Sequence, residues 1–179
     1  MYDKTLDLFE QLPFNPDDAI YTIVLNACAQ LCNDRAKQMG MKLLKRIPNH
    51  FQNSNSVSNS AIHMLMRFGD VTSAKHLFDQ MINKDIITYG AMMNGYNLNH
   101  QPSKCFHLLQ QMKEHNIFPD VIVSVILIGA CAQYGMLSRC QSVLQQIPSH
   151  LHHHQEISNA LVHMWASVHS LHSSIHSLV

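Results

Sequence analysis

Five short stretches of the chain share one arrangement of apolar and polar positions: an apolar pair, two polar residues, then one more apolar residue. They are Leu8-Phe9-Glu10-Gln11-Leu12, Leu43-Leu44-Lys45-Arg46-Ile47, Leu77-Phe78-Asp79-Gln80-Met81, Leu108-Leu109-Gln110-Gln111-Met112 and Val143-Leu144-Gln145-Gln146-Ile147. Apolar side chains at i, i+1 and i+4 fall on one helical face, so each block predicts the inward stripe of an amphipathic helix. Their first residues lie 35, 34, 31 and 35 positions apart, a period at which helical hairpins stack into solenoids.

A longer period sits above the first. Ser58-Asn59-Ser60-Ala61-Ile62-His63-Met64 returns 100 residues later as Ser158-Asn159-Ala160-Leu161-Val162-His163-Met164, and Ala27-Cys28-Ala29-Gln30 returns 103 later as Ala130-Cys131-Ala132-Gln133. Units of unequal length therefore cycle. The division this implies is a partial repeat at 1–17 supplying a second helix, full repeats at 18–54, 55–85, 86–120 and 121–154, and a partial repeat at 155–179.

Within the first full unit, helices are expected over Ala19–Leu31 and Asp34–Ile47, the second ending at Pro48. In the next, Gly69-Asp70 marks the turn, glycine being free to take positive φ, and Ala74, Leu77, Phe78 and Met81 form a buried stripe. The unit from Ile86 would bury Tyr89, Met92, Met93 and Tyr96, turn at Asn99-His100-Gln101-Pro102 and run a second helix to about Asn116. Val121 opens a β-branched run that alone reads as a strand. Its alignment with Ile86–Leu98 and Ala19–Leu31 overrides this, because a first helix held between neighbouring units is apolar all round.

Composition adds little chemistry. Lys plus Arg equals Asp plus Glu at 12 each, so net charge does not advertise nucleic acid. No Lys or Arg follows Arg139, while eight of the 14 histidines do. Cys28, Cys32, Cys105, Cys131 and Cys140 form no CxxC pair and no even framework, which favours a reducing compartment. Cys28 and Cys131, flanked by alanines, suit a close helix crossing. The longest apolar run, Val121 to Ala132, is too short for a span of ~20 residues. The chain opens within one unit and closes within another, which reads as a fragment whose targeting segment lies elsewhere.

Ile87-Thr88-Tyr89, Met92-Met93-Asn94-Gly95-Tyr96, Leu108-Leu109-Gln110-Gln111-Met112 and Ile117-Phe118-Pro119-Asp120, in this phase, closely resemble the pentatricopeptide repeat. The cycling of unit lengths is similar to the subclass of P, L and S units found in organellar RNA-editing factors. On that likeness 18–54 and 121–154 are L-like, 55–85 and 155–179 S-like, and 86–120 P-like. The resemblance implies an all-α fold, a right-handed α-solenoid superhelix of helix-turn-helix repeats, whose first helices line a concave surface for single-stranded RNA at about one base per unit. It implies a mitochondrial or plastid protein of RNA processing or editing, with other organellar RNA-processing factors as further partners, no membrane, no DNA and no cofactor.

In proteins of that family the fifth and last residues of a unit discriminate the base, and the second packs against it. Carried onto this chain, Asn59 with Asp85 is a pair associated with uridine. Gly90 with Asp120 lacks a reading side chain, and Thr22 with Ser54 and Val125 with His154 depart from the pattern. Asn159 opens the last unit. Ile87 and Ile122, at second positions, are either base clamps or ordinary packing residues. His150, His152, His153 and His154, and the His169, His172 and His176 face, read as biased sequence rather than a metal site. Trp165 aligns with Tyr96 and reads as core, and the methionines as gap-fillers. No nucleophile elbow, phosphate loop or deaminase motif is present, so no catalytic residue is assigned. The rival readings are a protein-binding tetratricopeptide-like scaffold, favoured by neutral charge and opposed by the short unit, and a decayed fragment.

Overall fold

The computed structural model describes residues 2–11, 16–47, 54–135, 141–143, 145–151 and 153–176, with backbone alone for 168–176. Pro48, Cys140, Leu144 and His152 lie outside the described residues. Those that are described are all-α, with no strand among them. The helices are α1 Tyr2–Glu10, α2 Asp18–Leu31, α3 Asp34–Leu44, α4 Asn55–Arg67, α5 Val71–Gln80, α6 Ile86–Leu98, α7 Ser103–Glu114, α8 Val121–Tyr134 and α9 Gln155–His176, with a 3-10 turn at Ser149–Leu151. The β-branched segment from Val121 is helical, as the alignment requires. Two predicted helices end short of their expected limits. Backbone turns follow Leu44 and Glu114, so Ile47 and Asn116 lie beyond regular helix.

The chain divides into two compact units, Met1–Gly95 and Tyr96–Val179. In the first, α2 packs against α1, α3 and α4, and α4 against α5. Asp17 caps α2, its Oδ1 accepting from the Ile20 N–H at 2.8 Å, and Cys32 ends the helix in the left-handed region at φ 49°. Ala27, Cys28 and Ala29 are at most 2% exposed, so small side chains let the helices approach closely. Burial pushes the Cys28 thiol up to about 11, which leaves it a core residue rather than a nucleophile.

Gly69, at φ 77°, makes the turn into α5, and Asp70 caps that helix by accepting from the Ser73 N–H at 3.0 Å. Ala74, Phe78 and Met81 are buried, whereas Leu77 is only partly so. Phe78 meets Tyr89 edge to face, with ring centroids 5.4 Å apart. Gly95 lies so near α4 that a β-carbon there would stand 2.3 Å from Met66 Cγ.

Leu8 corrects the pattern reading. It is 66% exposed, although its block predicted an inward stripe. α1 packs on α2 and buries Leu6 instead, leaving Leu8 largely exposed.

In the second unit α8 packs against α7 and α9. Asp120 caps α8, accepting from the Val123 N–H at 2.8 Å, and Gly135 ends it at φ 70°. Asn97 donates its amide to the Ile126 carbonyl at 2.8 Å, and Phe106 meets Tyr134 edge to face at 5.5 Å. Cys105, Leu108, Leu109 and Met112 form the buried stripe of α7, and burial pushes the Cys105 thiol up to about 12. Of the α6 residues predicted as core, Tyr89, Met92 and Met93 in the first unit and Tyr96 in the second are each at most 2% exposed. Trp165 is only partly buried on α9, where Ile157 and Met164 supply the buried face, so it is not core in the sense that Tyr96 is.

Candidate nucleic-acid interface

Asn59 and Asp85 are brought together. Asn59 lies in the second turn of α4 and is 9% exposed. Asp85 ends the loop before α6 and caps that helix: its Oδ1 accepts from the Thr88 N–H and the Thr88 hydroxyl, each at 2.8 Å. The Thr88 oxygen in turn accepts from the Asp85 N–H at 3.3 Å, closing a reciprocal cap. The other carboxylate oxygen accepts from Asn55 Nδ2 at 3.0 Å, and the Asn59 side chain also bonds this carboxylate. Partial burial works against the charge, but the bonds from Thr88, Asn55 and Asn59 outweigh it and hold the Asp85 carboxyl below the usual carboxylate range.

An ionised carboxylate can only accept, so Asn59 presents Nδ2 to Asp85. Its Oδ1 is then left buried with no hydrogen-bond partner. A buried acceptor without a donor costs on the order of 1–3 kcal/mol.

The remaining candidates are placed as follows. Thr22, the fifth residue of α2, also has a buried hydroxyl without a partner, so it is not bonded to Ser54. Ser54 precedes α4 without capping it through its side chain. Asp120 performs on α8 the capping that Asp85 performs on α6. Gly90 is buried. His154 is exposed and meets Glu156 at 3.2 Å. Asn159 is exposed on α9, where its oxygen accepts from Gln155 Nε2 at 2.9 Å.

Ile87 and Ile122 are 66% and 68% exposed. Each stands at the second position of its own helix. Among the described residues no cluster of three or more His, Cys, Asp or Glu side chains is placed to hold a metal ion. His152 and the side chains of His169, His172 and His176 fall outside that description.

Two residues of this cluster were not singled out by sequence. Thr88 has a visible signal, the spacing Asp85-x-x-Thr88 of a helix cap. Asn55 has none, because its partner lies 30 residues away.

Residues 56–86 match a family model described as PPR repeat, and residues 84–133 one described as PPR repeat family. The segment 56–133 is thus similar to pentatricopeptide repeats. Similar proteins from Arabidopsis thaliana bear the same name. A mitochondrial pentatricopeptide repeat-containing protein is 28% identical over 145 residues, covering 79% of this chain and 22% of that protein. Another mitochondrial one is 24% identical over 161 residues, covering 89% and 23%. A chloroplastic one is 29% identical over 141 residues, covering 76% and 19%. The chain thus spans about a fifth to a quarter of these relatives' length.

The matched pentatricopeptide segments contain Asn59, Asp85, Ile87, Asp120 and Ile122, while Thr22 and Asn159 lie outside them. No described helix is long and apolar enough to cross a membrane.

Proposed function

We propose that this chain binds single-stranded RNA with base selectivity, as a segment of an organellar RNA-processing or editing factor of the P, L and S subclass, with units divided at 18–54, 55–85, 86–120 and 121–154. The observation that carries the reading is the buried, unpartnered Oδ1 of Asn59 beside the Asp85 that holds its amide. Such an acceptor is satisfied by a base that offers a donor on its Watson–Crick edge, as uracil does. Thr22, with its own orphaned hydroxyl, is a second polar contact on α2, and Ile87 and Ile122 supply exposed apolar surface for bases to pack on. Asp120 contributes through the helix it caps, and Asn159 is the corresponding polar side chain on α9. Lysine and arginine side chains supply phosphate attraction.

Names of relatives support a mitochondrial or chloroplast setting. Neutral net charge favours the rival reading, a protein-binding scaffold.

Fluorescence anisotropy of the chain against oligouridine and oligoadenosine at two salt concentrations separates the readings. Preference for uridine, lost in Asn59→Ala with the helical spectrum intact, is the expected result. Equal affinity for both RNAs refutes base reading, and absence of binding at low salt by a folded chain favours the scaffold.

A further inference from the structure

A polar stripe runs along α4, which is otherwise mostly apolar. Asn55, Asn59, His63 and Arg67 follow one another at intervals of four, and side chains so spaced are neighbours along one side of a helix. The last two reach across to α2. His63 Nδ1 meets Asn26 Oδ1 at 3.5 Å, and Arg67 Nε donates to the Ala29 carbonyl at 3.1 Å. The Arg67 carbonyl in turn accepts from the Cys32 thiol at 3.4 Å. His63 and Arg67 are both partly buried.

Arg67 has no carboxylate partner among the described residues, whereas Arg35 is paired with Asp7 and Glu10 and Lys75 with Asp79. Its Nε is engaged by a neutral carbonyl near the C-terminus of α2. That leaves the edge formed by its two Nη groups, the edge that takes two oxygens of an oxyanion. A partly desolvated charge without a counter-charge is costly, and an anion relieves it. His63 stands one turn away. With Nδ1–H donating to Asn26 Oδ1, Nε2 is the nitrogen that accepts a further proton. Arg67 is the charge that acts on this imidazole, after burial. The packed elements bring no free carboxylate against it: α2 presents Asn26, with Asp18 at its far end and Cys28 beside Gly40. On α5 stand Asp70, which caps that helix, the exposed Lys75–Asp79 pair and exposed His76, and Asp85 before α6 is engaged by Asn55, Asn59 and Thr88.

We infer that His63 and Arg67 form an anion seat on the α2–α4 seam, which takes a backbone phosphate of single-stranded RNA and tightens when His63 binds a proton. The inference rests on the RNA-binding reading above, and not on which base Asn59 selects. Arg67 supplies the constant charge. A phosphate set against both side chains cancels the repulsion between them, so the complex favours the imidazolium that the free chain resists. Proton uptake and RNA binding are then linked. Affinity rises as pH falls, and the gain is complete once the free imidazole is itself charged.

The experiment reads affinity of the full chain for oligouridine by anisotropy on either side of the ordinary histidine range, at about pH 7.5 and about pH 5.5, at constant ionic strength and with the helical spectrum recorded at both. The other histidines also gain charge in acid, so the quantity read is the difference between the unsubstituted chain and His63→Asn. Acidification should strengthen binding by roughly three- to tenfold more in the unsubstituted chain, as one partly screened charge contributes. At the higher pH the two proteins should bind alike. Arg67→Gln should weaken binding at both pH values.

An acid gain of equal size in both proteins overturns the seat and leaves RNA binding standing, as does an Arg67→Gln affinity equal to that of the unsubstituted chain. An equal loss of affinity in His63→Asn at both pH values also overturns it, since that marks a packing residue. Absence of RNA binding by the folded chain at either pH removes the RNA-binding reading, and this inference with it.

Discussion

Asp17, Asp85 and Asp120 each cap a first helix through a backbone N–H at 2.8 Å, so replacing them one at a time by alanine separates capping from everything else Asp85 does. Loss of an aspartate cap costs about 1 kcal/mol. For Asp17→Ala and Asp120→Ala that is the expected loss. Asp85→Ala removes the same cap and, in addition, strands the Thr88 hydroxyl and the amides of Asn55 and Asn59, which share this acceptor. Thr88 is fully buried, so its hydroxyl has no access to water in exchange. With each lost bond worth roughly 0.5–1.5 kcal/mol and the amides partly able to re-pair, the expected total is about 2–3 kcal/mol. Urea denaturation followed by circular dichroism gives the totals. Because units of a repeat array open semi-independently, hydrogen exchange at the first amides of α2, α6 and α8 shows where each loss falls. Three equal losses, or a mildest loss at Asp85, would refute the claim that the cluster around Asp85 is more than a helix cap.

Two further outcomes follow from the packing and the titration. A β-carbon at Gly95 would stand 2.3 and 2.7 Å from Cγ and Cβ of Met66, near the root of a buried side chain, whereas one at Gly129 would meet only Asn97 Nδ2 at 3.7 Å. Gly129→Ala should therefore gain up to about 1 kcal/mol from helix propensity, while Gly95→Ala loses a net of roughly 1–2 kcal/mol to overpacking; opposite shifts in thermal midpoint check this. Burial first, and the nearby Arg67 charge second, hold the His63 imidazole below its ordinary value. The folded state then resists protonation while the unfolded chain accepts it, so stability is lost as pH falls below ~6.5. His63→Asn should fall less steeply between neutral and mildly acidic pH when the two proteins are compared by thermal melts.

The pattern of apolar positions carried the helices well. Tyr89, Met92, Met93 and Tyr96 are buried because a helix held between neighbours must bury most of its circumference, and the same reasoning made Val121–Tyr134 a helix against its β-branched composition. Leu8 shows where the pattern stops. Apolar spacing says that a stripe exists, but only packing says whether a neighbouring helix covers it. Trp165 fails for a related reason, since alignment with Tyr96 conveys register and not the depth of the groove.

For the candidate site, the sequence by itself determined the repeat period, the helical hairpins and where Asn59 and Asp85 stand along them, because local periodicity and caps are encoded within a few residues. Tertiary structure decided what those positions do. It joined Asn59 to Asp85, recruited Asn55 and Thr88 to the same carboxylate, left the Asn59 Oδ1 buried without a donor, and set Ile87 and Ile122 in the open. These are relations between side chains that folding brings within 3 Å from positions as much as 30 residues apart, and no local pattern contains such a distance.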